Sequence, residues 1–162
     1  MENAYLSPHF LCRLQGRRYC LGRKGNREHS GQLRALFTGA DAAAKLASAQ
    51  QLAAQSGREL YRVDLSAVAG KYVGEMEKNL DRIFAAAENK NWVLFFDEAD
   101  SLFGKRTDVA DSHDRYANLE VSYLLQRIEG FDGPVIIALN QKGPLRKVWQ
   151  RDFLEVVPFP RH

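Results

Sequence analysis

The sequence predicts an α/β domain built on a parallel sheet with helices on both faces. Three observations carry that expectation. Strand-like and helix-like segments alternate from residue 33 onward, as parallel crossover connections require. Trp92-Val93-Leu94-Phe95-Phe96 and Val135-Ile136-Ile137-Ala138-Leu139 are apolar at every position, the mark of strands buried on both faces. Polar and small residues follow the strand-like runs, at Gly39–Leu46, Asp64–Gly74, Asp97–Asp100 and Asn140. Open parallel sheets hold their ligands at those carboxyl ends.

The elements follow in order. Leu33 to Thr38 reads as a buried strand ending at Gly39. Ala42 to Ser56 is rich in Ala, Leu and Gln with helical spacing at Leu46, Ala49, Leu52 and Ala53, and Gly57 closes it. Glu59 to Asp64 is a second strand, followed by a loop with Gly70 and Gly74. Glu75 to Glu88 places Leu80, Ile83, Phe84 and Ala87 on one helical face. After the Trp92–Phe96 strand come a polar loop from Gly104 to His113 and a helix from Asp114 to Gly130. The Val135–Leu139 strand, a short helix near Lys147–Gln150 and a last strand over Leu154–Val157 complete the chain.

Composition sets the outer limits. The 162 residues, 45% apolar and 27% charged, suffice for one domain with a real core. No apolar run approaches the ~20 residues a membrane span needs. Arg13, Arg17 and Arg18 interrupt any signal-peptide core. Cys12 and Cys20 are too few for a disulfide framework or a zinc site, and read as reduced thiols of a cytoplasmic protein. The net charge of +3 is uneven: residues 1–31 hold six Lys/Arg against two acids. The sequence thus divides into a basic, loosely ordered extension over 1–31, with a short element over Tyr5–Leu14, and a core over 32–162. A basic arm reads first as a solvated tail; nucleic-acid binding through it is the minority alternative.

Chemistry concentrates after the third strand. Asp97 and Glu98 are adjacent carboxylates at the end of a fully apolar run, and such placement is costly unless something uses them. In phosphoryl-transfer sites an Asp there holds Mg2+ and a neighbouring Glu activates the attacking water. The plainer alternative is a helix cap with a first-turn acid. Asn140, ending the next strand, suits an amide that holds a water or a terminal phosphate, or simply a turn residue.

Four stretches bring these residues into one pattern: Val63-Asp64-Leu65-Ser66; Lys71-Tyr72-Val73-Gly74-Glu75 with Glu77 to Leu80; Leu94 to Arg106; and His113 to Glu129. Together they resemble the core of an AAA-type ATPase, most closely the bacterial and phage-associated branch, over residues 33–160. The resemblance implies a P-loop NTPase fold, the AAA large subdomain, with five parallel strands. It implies ATP and Mg2+ as ligands, ring oligomers or partner AAA subunits, and force applied to protein substrates. Residue by residue, it places Asp97 on the Walker B metal position and Glu98 on the catalytic base. Asn140 falls on the sensor of the terminal phosphate, and Arg151 on one of the paired arginines that reach a neighbouring subunit, the other being Asp152 here. Lys71, Tyr72 and Val73 fall on the pore loop that grips a threaded polypeptide.

The phosphate loop departs from this pattern. The family's G-x-x-G-x-G-K-[ST] is Gly39-Ala40-Asp41-Ala42-Ala43-Ala44-Lys45-Leu46 here. Gly39 and Lys45 remain as nucleotide-binding candidates; the later glycines are alanine, and Leu46 offers Mg2+ no hydroxyl. Alanine resists the torsions and close approach such a loop needs. Ala42-Ala43-Ala44 is instead a good first helical turn with Asp41 as its cap. The expectation is a helix starting at Ala42, with the Asp41 carboxylate over the end where phosphate would bind. The chain also stops at His162, so the small helical lid of the family is expected to be missing. Met76 stands where the family often has Thr, a tolerable change at a helix start. These departures point to a weakened ATPase, with a non-hydrolysing scaffold or partner-binding module as the alternative.

Overall fold

The computed structural model describes residues 33–103, 113–140 and 155–159. Its five strands are β1 (Arg34–Thr38), β2 (Glu59–Asp64), β3 (Trp92–Asp97), β4 (Val135–Leu139) and β5 (Glu155–Pro158). The helices are α1 (Ala42–Gln55), α2 (Leu65–Val68), α3 (Glu75–Glu88), α4 (Asp100–Phe103) and α5 (His113–Glu129). The sheet order is β2-β3-β4-β1-β5 and every pairing is parallel. The expected α/β class and five-stranded parallel core are therefore present. The extension over 1–31, the loop over 104–112, the helix near 147–150 and Arg151 lie outside the described residues.

Strand parity sorts the core into two layers. On one face Ala35, Phe37, Val93, Phe95, Ile136 and Ala138 pack under Ala49, Leu52 and Ala53 of α1. On the other, Leu36, Val63, Leu94, Phe96, Val135 and Ile137 pack against α3 and α5 through Leu80, Phe84, Leu124 and Ile128. Every residue of β4 is buried, as its unbroken apolar run predicts. Arg34 ties β1 to the end of α5, its guanidinium donating to the carbonyls of Ile128, Glu129 and Phe131. A cation there also suits the negative pole of that helix.

Two single-turn helices were not anticipated. Asp64 ends β2 and also caps α2, its carboxylate accepting from Ser66 N at 2.9 Å; read as a strand end, it conceals the turn after it. α4 follows β3 after two residues. The last strand lies one residue later than expected, over Glu155–Pro158. Met76 lies at the start of α3, as expected, and its side chain is buried against the core there. Among the described residues, no helix is long and apolar enough to cross a membrane.

Candidate functional site

The sheet order brings the ends of β3, β4 and β1 side by side, and the polar residues of the core meet there. Among the described residues the buried polar side chains are Lys45, Ser48 and Asp97.

Lys45 lies in the first turns of α1, and its side chain is fully buried. Its ammonium donates to three acceptors: Gly39 O at 2.9 Å, Leu139 O at 2.9 Å and Asn140 Oδ1 at 2.7 Å. These fill the three donors an ammonium has. Burial pushes its pKa below the ordinary lysine value, while the carboxylates of Asp97, Asp100, Glu98 and Asp41 pull it back up. The cation thus joins the carboxyl ends of β1 and β4.

The start of α1 explains this geometry. The helix begins at Ala42, and Asp41 Oδ1 accepts from Ala44 N at 2.9 Å, as the sequence led one to expect. With the helix starting that early, only Gly39, Ala40 and Asp41 separate it from β1. Leu46 packs against the apolar layer under α1. Gly39 has a φ of 126°, and a Cβ there would collide with the Phe159 carbonyl. Its glycine requirement is thus already met by the approach of the chain just after β5.

Asp97 ends β3 and faces the α1 side of the sheet. Its Oδ2 accepts from Arg62 Nε at 3.0 Å and Arg62 Nη2 at 2.6 Å, and its Oδ1 from Glu98 N at 2.9 Å. The Asp97 side chain is 8% exposed and that of Arg62 53%. Glu98 is the one described non-glycine residue with positive φ, at 56°. Such a conformation persists only where neighbours hold it. Here Ser101 Oγ donates to Glu98 O at 2.8 Å, and Asn140 Nδ2 to Glu98 Oε2 at 3.2 Å. The plain cap reading of this pair fails: α4 starts two residues beyond Glu98, and the Asp97 carboxylate binds the very next N–H.

Asn140 is the hub, linked by its side chain to Lys45 and Glu98 and by its backbone N–H to Asp100 Oδ2 at 2.6 Å. The structure therefore brings Gly39, Lys45, Asp97, Glu98 and Asn140 together. Lys71, Tyr72 and Val73 lie apart, on the loop before α3, with Tyr72 74% and Val73 80% exposed. The Tyr72 ring does not fold into the core. Arg62 escaped the sequence reading, and Asp100, at the end of the Asp97–Asp100 stretch, was given no role there. Arg62 shares the strand parity of Asp64, a signal that becomes usable only once the β2–β3 register is known.

Fitted against a magnesium nucleotide, these residues do not match as arranged. The Lys45 donors are all taken, the Asp41 carboxylate occupies the helix start, and Arg62 covers one oxygen of Asp97.

Residues 35–160 match the model of the ATPase family associated with various cellular activities (AAA). The chain is 34% identical over 139 residues to the AAA family ATPase y4kL of Sinorhizobium fredii, covering 83% of this chain and 42% of that protein. It is 30% identical over 115 residues to 26S proteasome subunit RPT4 of Saccharomyces cerevisiae, covering 68% of this chain and 26% of RPT4. It is 33% identical over 111 residues to peroxisomal ATPase PEX6 of Pichia angusta, covering 68% of this chain and 9% of PEX6. The chain thus spans less than half of each of these relatives.

Proposed function

The chain belongs to the AAA family of ATPases, and on that premise we propose that it is a core of the protein-remodelling class whose ATP binding and hydrolysis are weak. The observation that carries this reading is the Asp41 carboxylate on the first turn of α1. A helix start is an anion site, and here an anion of the chain itself is tied to it. The alanines at 42 and 44 and the leucine at 46 act in the same direction. At the family's positions Asp97 would hold the metal, Glu98 the attacking water, Lys45 and Asn140 phosphate, and Arg151 a neighbouring subunit's site, once the present partners of Lys45 and Asp97 are displaced. The likeness to a proteasome subunit and a peroxisomal ATPase supports a protein substrate and partner AAA subunits or copies of this chain; the cytoplasmic setting rests on the reduced-thiol reading of Cys12 and Cys20.

A second reading, a partner-binding module without turnover, is favoured by the exposure of Tyr72 and Val73. A large aromatic side chain left in solvent is suited to contact with another chain.

Calorimetric titration with Mg-ATP tests the first reading. The wild type should bind weakly. The combined change Asp41→Gly, Ala42→Gly and Ala44→Gly should tighten binding by about tenfold or more, equivalent to about 1.4 kcal/mol, and adding Leu46→Thr should restore Mg2+ dependence. No gain in the repaired protein refutes the loop as the lesion. Any hydrolysis that is found should fall by roughly 10²–10⁴ in Glu98→Gln.

A further inference from the structure

We propose that the open edge of β2 is a docking site for an extended segment of a partner protein, one that alternates apolar and acidic side chains and adds to the sheet beside β2. The proposal goes beyond the ATPase reading and involves neither the Lys45–Asn140 cluster nor the Tyr72 loop.

The backbone argues first. β2 pairs with β3 alone and forms one edge of the sheet. Glu59 N donates to the carbonyl of Asn91, just before β3. Backbone groups alternate sides along a strand, so those of Glu59, Tyr61 and Val63 face β3. The N–H and C=O of Leu60 and Arg62 therefore point outward, and among the described residues they meet no hydrogen-bonding partner. Sheets commonly guard such an edge with proline, lysine or a bulge. β2 contains neither proline nor lysine, and it pairs with β3 along its whole length without a bulge.

The surroundings define the occupant. A groove of about 380 Å3 runs beside this edge, between β2, α2 and α3. Successive side chains of an added strand point to opposite faces of the sheet. Those on the α3 face would meet Tyr61, Val68 and Ile83. Tyr61 is 38% exposed and stacked on Trp92 with ring centres 4.3 Å apart, so the pair presents a supported apolar wall. Those on the other face would meet Arg62. It gives two of its five N–H groups to Asp97 and keeps the rest on a side chain 53% exposed. Arg82 adds a second guanidinium to the lining. The carboxylate there is that of Asp64, already engaged by Ser66 N and Oγ. Guanidinium groups outnumber carboxylates in the groove, and an occupant with acids at alternate positions complements it.

The test is fluorescence polarisation of a labelled, end-blocked peptide of alternating valine and glutamate, with the full chain and no nucleotide. The peptide should bind, and its valine–lysine counterpart should bind on the order of tenfold more weakly. Methylating alternate backbone nitrogens removes the donors from one edge of the peptide only. Methylation of one set, valines or glutamates, should abolish binding, and methylation of the other should spare it, because a single edge of the peptide faces β2. Arg82→Glu, at an exposed position of α3, should weaken binding by about threefold. No binding, equal binding of the lysine peptide, equal effects of the two methylations, or an unchanged affinity in Arg82→Glu overturns the proposal. Dimers of the chain that form with rising concentration in sedimentation and exclude the peptide make a second copy the occupant, and overturn it too. The peptide arms use wild-type protein, so they do not depend on a variant folding. ATP is absent throughout, so failure of the weak-ATPase reading leaves these outcomes unchanged.

Discussion

Replacing Lys45 by alanine should destabilise the protein with no nucleotide present. A lysine that merely awaits a phosphate would be dispensable in the free protein; this one is a fully buried tie between strand ends. Its three hydrogen bonds are not equally costly to lose. Leu139 O still accepts from Gly39 N at 3.0 Å, and Asn140 is only half-buried, so water can replace the ammonium on Oδ1. The Gly39 carbonyl loses its lysine donor in a buried position, at about 1–3 kcal/mol. Removing the buried stem costs roughly 0.8 kcal/mol per methylene, and relief of a desolvated charge offsets part of that. The net expectation is about 3 kcal/mol, a fall in Tm of about 6–12 °C for a chain of this size. Lys45→Met retains the stem and should lose about half as much. Urea denaturation followed by circular dichroism measures both. A loss below about 0.5 kcal/mol for Lys45→Ala, typical of surface positions, would refute the tie.

The Lys45 pKa lies below its ordinary value of 10.5, so above the folded-state value the unfolded chain holds the extra proton, and stability gains from rising pH. Relative to Lys45→Met, the wild type should therefore gain stability as pH is raised toward 10.5; a flat difference in paired denaturation curves would contradict the burial. Gly39→Ala combines a φ of 126° with a collision at the Phe159 carbonyl, and should cost about 3 kcal/mol, read as a drop in Tm. Tyr72→Ala, at a side chain 74% exposed, should leave stability within about 0.5 kcal/mol while reducing capture of an unfolded polypeptide in a fluorescence-polarisation assay; a large loss of stability would show that the ring packs on its own domain.

The sequence alone determined the features that depend on local pattern. The apolar runs 92–96 and 135–139 are legible because a strand covered on both faces cannot alternate. The start of α1 was legible because an Asp before three alanines satisfies the first turn of a helix without help from elsewhere. The gathering of Lys45, Asp97, Glu98 and Asn140 followed from their places after parallel strands. Only the tertiary structure decided what those side chains bind. The acceptors of Lys45 come from β1 and β4, strands about a hundred residues apart that are neighbours because of the sheet order. The partner of Asp97 comes from β2 through a register that pairs Asp64 with Asp97. Gly39 is held as glycine by the chain beyond β5. Strand order and register arise from the packing of whole layers, and a side chain's partner in the next strand leaves no mark on its own local sequence.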